Sequence, residues 1–216
     1  MKDETLIPLA QCHDVNLNDK SSVDVTVLHE TGHLIVMYAL GLMDYFSSIS
    51  VKAGEHKNEV TGTINSVNGL TDVTPEYKVK MQQFAAELKL AGNPKSGAAT
   101  TELIKKMRVY GAALYLPNIC RLFGGGAICR FYEVPDEKMC KIDYDLIDKL
   151  IIGLGIPGTR EAMRILVDMY LNFVFASFDY LTKAIYINLK QKGSLDKEQV
   201  MQIIGEWENY DLNIIE

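Results

Sequence analysis

Most of the features that would commit this chain to a specialised role are missing or scarce. Only 4 of its 216 residues are cysteines, and Cys12, Cys120, Cys129 and Cys140 form no C-x-x-C pair. A cysteine-built zinc knot is thereby excluded. A chain of this length needs no disulfides to hold a core, so the thiols are expected to be reduced in a cytoplasmic protein. No run of like charge stands out, and a formal net charge of −6 leaves no basic stripe for nucleic acid. The N-terminal MKDETLIPLAQCHD is charged and lacks an apolar signal core. The longest uncharged apolar run, Leu34 to Met43, is too short to cross a bilayer, so no membrane insertion is expected. Internal repeats, low-complexity linkers and a G-x-x-x-x-G-K-[ST] phosphate loop are all missing. Nothing in this chain is expected to unfold a substrate with ATP.

What remains reads as one mainly α domain with a small β-sheet near the N-terminal third. Residues 1–20 are polar and irregular, and residues 21–216 form the single domain. A helix starts near Ser21, where Ser21 and Asp24 suit a capping box, and runs to about Leu40 with Gly41 as its stop. Its apolar positions cover nearly the whole circumference, which predicts a helix deep in the core. Residues 47–68 alternate over Ile49 and Val51, then over Val60 and Ile64, and predict two or three short strands. Helical segments follow over Glu76 to Leu90, Thr101 to Leu122 with Pro117 as a kink or break, and Ile142 to Ile152. Thr159 to Lys190 is one long apolar helix or a broken pair. KGSLDKEQVMQII reads as a turn and a helix capped by Asp196. The triple glycine at 124–126 lacks the order of a phosphate-cradling loop and reads as a close helix crossing.

Histidine is scarce too, with four in the chain, yet two of them stand four apart in LHETGHLIVMYAL. Positions i and i+4 share a helix face, so His29 and His33 can offer two imidazoles to one ion. Glu30 lies next to His29 around the helix and can reach a water at that ion as a general base. Gly32 lets another element pack close between the two histidines. An otherwise apolar core helix has no other reason to bury these groups, because unpaired polar groups cost energy there. His13 and His56 sit in polar, loop-like sequence and read as solvated. A catalytic zinc usually has three protein ligands and an open position. Ala39 occupies the place six residues after His33, so the third ligand must come from elsewhere, and spacing does not choose it.

The H-E-T-G-H stretch resembles the H-E-A-G-H of the FtsH-type (M41) zinc metallopeptidases. Four more segments resemble that family in the same order: SISVKAGEHKNEVTGTI, ICRLFGGGAICRFY, IDYDLIDKLI and KGSLDKEQVMQII. The resemblance covers residues 21 to about 205. It implies a zinc-dependent peptidase in which His29 and His33 are ligands and Glu30 is the base. It also implies an aspartate ligand in IDYDLIDKLI. The aspartate followed by leucine is Asp145, the expected third ligand, with Asp143 and Asp148 as competitors. Arg130 and Phe131 fall near the family's acidic pair, and Gly126 stands where the family has arginine. The family couples this domain to an ATPase that is not in this chain. A stand-alone version is expected to cut peptides or unfolded proteins, as a possible homo-oligomer or beside a separate ATPase partner. The strand Thr61 to Ile64 is a candidate substrate edge. The alternatives are a catalytically silent scaffold or binding module of the same fold, and a regulator-type H-E-x-x-H peptidase that cleaves one specific protein.

Overall fold

The molecule is a computed structural model that describes residues 5–18, 21–53, 60–66, 83, 116–135, 140–154 and 160–212. Helix α1 spans Ser22–Ala39. The Ser21 hydroxyl accepts from the Asp24 amide at 3.1 Å, which fixes its start. Gly41, at φ +68°, ends it: the Gly41 amide donates to the Tyr38 carbonyl and the Leu42 amide to that of Met37. Every residue from Asp24 to Met37 is buried. The all-round apolar pattern thus makes α1 the central rod of the core.

The sheet has the order β2-β1-β3, all antiparallel. Strand β1 is Phe46–Ala53, β2 is Val60–Ser66 and β3 is Ser194–Asp196. Ile49 lies opposite Ile64 on one side and Leu195 on the other. The expected hairpin is present. The third strand was not expected, because a single buried leucine between two exposed residues gives too short an alternation to read. Asp196 still caps the next helix. Its carboxylate accepts from the Gln199 amide at 2.8 Å, while the Gln199 side chain accepts from the Asp196 amide at 3.1 Å.

Helix α2 covers residues 116–131, α3 is Cys140–Leu154, α4 is Arg160–Ser177, α5 is Asp179–Lys192 and α6 is Lys197–Leu212. The long apolar segment from Thr159 is a broken pair, with α4 and α5 meeting at an 81° bend. Among the described residues no single helix is long and apolar enough to cross a membrane; α4 and α5 pass that test only together. The irregular start of the chain is not loose over residues 5–18: Leu9, Cys12 and Leu17 are buried, and the Ile7 amide donates to Asn188 of α5 at 2.7 Å. The helix expected over Glu76 to Leu90, the loop after it and the first part of Thr101 to Leu122 lie outside the described residues. Pro117 sits in the first described turn of α2, which is helical from residue 116.

The three glycines fall inside α2, not in a loop, so a phosphate cradle is excluded and the close crossing is what they form. A Cβ on Gly32 would come within 2.5 Å of the Gly124 carbonyl oxygen, and one on Gly124 within 2.9 Å of the Gly32 carbonyl oxygen. Two backbones touch there, and neither can yield. Gly32→Ala should therefore destabilise the fold by about 1–3 kcal/mol, outweighing a helix-propensity gain of about 1 kcal/mol, as read by urea unfolding.

A second tie holds α1 to α5. Asp24 accepts from the Tyr186 and Ser21 hydroxyls and pairs with the Lys190 ammonium. Burial opposes its ionisation, but these partners outweigh it and hold its carboxyl below the usual value. A lowered folded-state pKa means the contribution is complete above about pH 4 and is lost as pH falls toward that lower value. Asp24→Asn should therefore lose stability at neutral pH and show a shallower decline in acid unfolding than wild type.

Candidate metal centre

One face of α1 carries His29 and His33, with their Nε2 atoms 3.1 Å apart. The carboxylate of Asp143, from the first turn of α3, reaches both: its Oδ2 is 3.0 Å from His29 Nε2 and 3.2 Å from His33 Nε2. The three form a group that can hold a metal ion, with both histidines buried and the aspartate half-buried. The fit is geometric. Bonds of about 2.0–2.1 Å at a tetrahedral ion set ligand atoms roughly 3.3 Å apart, close to all three of these separations.

Asp145 was the expected third ligand; the structure brings Asp143 to the histidines in its place. Cys140, Ile147 and Ile151 define the buried face of α3, and Asp143 falls on it. Asp145 is two residues further, about 200° around the helix, and is exposed. Asp148, the other competitor, pairs with Arg160 at 2.6 Å instead. His13 is exposed and stacks on Tyr180 at 4.2 Å, away from the metal group, while His56 lies outside the described residues.

The surroundings prepare the ligands. His33 Nδ1 donates to the Arg121 carbonyl at 2.7 Å, which leaves its Nε2 lone pair facing the group. The Gly125 amide lies 3.2 Å from the same Nδ1. Both contacts cannot hold at once, and the shorter one requires the proton on Nδ1. A Cβ on Gly125 would sit 2.5 Å from His29 Nε2, so this glycine keeps the space beside the ligand atom open. Burial opposes ionisation of Asp143, but the imidazoles of His33 and His29 outweigh it and hold its carboxyl far below the usual carboxylate range.

Glu30 is buried beside the group. Its side chain lies flat on β2: a Cβ on Gly62 would fall within 2.6 Å of its carboxyl carbon. Burial pushes this carboxyl up, against the pull of the two histidines. Arg130, which replaces an acidic position of the resembled family, grips Asp168 of α4 at 2.7 Å and donates to the Tyr144 hydroxyl at 3.2 Å. Arg160 lies 4.9 Å over the same Tyr144 ring. These contacts bind α2 and α4 to the residue next to Asp143. Gly62, Gly125 and Arg121 were not singled out by sequence. Their roles depend on elements that meet only in the fold.

No family model, no curated protein and no solved structure matches this chain. The family resemblance thus rests on the order of its motifs.

The geometry makes a separable prediction. Asp143→Ala should abolish binding of about one divalent ion per chain, while Asp145→Ala should keep it, as measured by metal analysis after dialysis.

Proposed function

We propose that the chain is a zinc-dependent hydrolase of peptide bonds in peptides or unfolded proteins. The observation that supports this best is a buried carboxylate, Glu30, beside three converging ligand atoms from His29, His33 and Asp143. A two-imidazole, one-carboxylate set suits zinc better than magnesium or calcium, which prefer oxygen ligands. When bound, the ion would acidify a water and draw electron density from a peptide carbonyl.

The protein's own residues supply the rest. His29, His33 and Asp143 hold the ion, with His33 oriented by the Arg121 carbonyl. Glu30 takes one proton as the water oxygen bonds to the carbonyl carbon. It then delivers that proton to the nitrogen as the C–N bond breaks, giving a carboxyl product and an amine. Its burial favours this work, since a carboxyl raised above its usual value holds and releases a proton nearer neutral pH. Gly62 gives Glu30 its room.

The sheet supports an extended substrate. Strand β2 is an outer strand in the order β2-β1-β3, and no strand among the described residues pairs with its other side. A peptide laid along that side by main-chain hydrogen bonds would pass Gly62 and so Glu30. The dependence on unfolded substrate, the independence from nucleic acid and any ATPase partner or homo-oligomer belong to the same reading.

The deciding experiment is cleavage of unfolded casein by zinc-supplied protein. Glu30→Gln should keep the metal and lose at least about 100-fold in rate, the usual scale of a general base. A wild type that takes up no metal and leaves casein intact would favour a scaffold or binding module instead.

A further inference from the structure

Arg121 is a cation beside the metal group that forms no direct ion pair among the described residues. Its carbonyl orients His33, and it stands one turn before Gly125, the residue that leaves space at His29. Its side chain is half-buried and feels the carboxylates of Asp143 and Glu30. Neither of them pairs with it, and no other carboxylate among the described residues does. A partly desolvated cation without a direct ion-pair partner costs stability, and a carboxylate bound there would offset that cost.

The guanidinium is also held in place. Its Nε donates to the side-chain oxygen of Asn118 at 3.0 Å, and Asn118 is only 3% exposed. That contact uses the inner nitrogen and leaves the two terminal amino groups as a fork. A planar fork with two parallel N–H donors matches a carboxylate. Other arginines near the site are already engaged, Arg130 and Arg164 by Asp168 and Arg160 by Asp148.

We propose that Arg121 receives a carboxylate of the bound substrate, so that the site prefers peptides carrying a negative charge near the scissile bond. The carboxylate is either the free C-terminus or an acidic side chain. The inference rests on the hydrolase reading for the word substrate, but binding tests it without hydrolysis.

The test uses the full chain with zinc supplied, in a Glu30→Gln background that stops turnover. Three dansyl-labelled peptides are titrated by fluorescence anisotropy: hexa-alanine as the free acid, hexa-alanine amide, and the same amide with one alanine replaced by glutamate. At least one charged peptide should bind about tenfold tighter than the neutral amide, as hydrogen bonds to charged groups imply. Tighter binding of the free acid alone identifies the C-terminus; tighter binding of the glutamate peptide identifies a side chain. Arg121→Met should erase the difference, and Arg121→Lys should retain part of it. Both leave the main-chain carbonyl on His33 in place. Asn118→Ala frees the fork and should narrow the same difference, which keeps the test open if Arg121→Met fails to fold. Equal binding of all three peptides, or a preference that survives Arg121→Met, would overturn the proposal. Arg121-dependent binding without any casein cleavage by the parent protein would sink the hydrolase reading and leave this one. Equal cleavage of charged and neutral peptides by the parent would do the reverse.

Discussion

The candidate site depends on two helices meeting with no side chain between them. Gly32 and Gly124 bring the backbones of α1 and α2 into contact. At that distance the Arg121 carbonyl reaches His33 Nδ1, and Gly125 lies against the His29 ring. Any larger residue at the crossing would push α2 outward. His33 would then lose its acceptor, and both imidazoles would lose the orientation that turns their Nε2 atoms toward each other. Packing therefore sets the chemistry here: a pair of missing side chains positions two ligands.

The same crossing explains how α1 carries polar groups through an apolar core. Fourteen consecutive residues of this helix, Asp24 to Met37, are buried, and Asp24, His29, Glu30 and His33 are among them. Each needs a partner if burial is not to unfold the helix. Asp24 has Lys190, Tyr186 and Ser21. The histidines share Asp143. Glu30 has only the field of the imidazoles and of the more distant Arg121 against its own burial and the neighbouring Asp143. Burial outweighs the imidazoles there and pushes this carboxyl up.

Much of this was legible in the residues. The H-E-x-x-H spacing placed two imidazoles on one face, and the apolar circumference of α1 placed that face in the core. The Ser21 and Asp196 caps, the Gly41 stop and short strands within residues 47–68 were all readable from local chemistry. The aspartate that meets the two histidines is not the one expected, for a physical reason. A motif comparison points to the aspartate before a leucine, whereas the helix obeys its own 3.6-residue period. Cys140, Ile147 and Ile151 mark that period and select Asp143. The exposed Ile142 and Ile152 blur it, because they make the outer face look apolar as well. Strand β3 and the roles of Gly62, Gly125 and Arg121 were illegible for another reason. They exist only through contacts between segments about 30 or more residues apart, or across a crossing angle that no local pattern encodes.

The protonation of the site gives the strongest reason to read it as a cation centre. Asp143 Oδ2 lies within 3.2 Å of both Nε2 atoms, which are themselves 3.1 Å apart. Three atoms at these distances need something positive between them. One proton, on His29 Nε2, serves a single contact and leaves the His33 Nε2 lone pair facing the carboxylate; a proton on each Nε2 makes His33, already protonated on Nδ1, an imidazolium. A single divalent ion accepts all three lone pairs at once. It would also face the buried Glu30 and oppose the desolvation that pushes this carboxyl up. The arrangement of charges around α1 is thus more self-consistent with a metal ion than with protons alone.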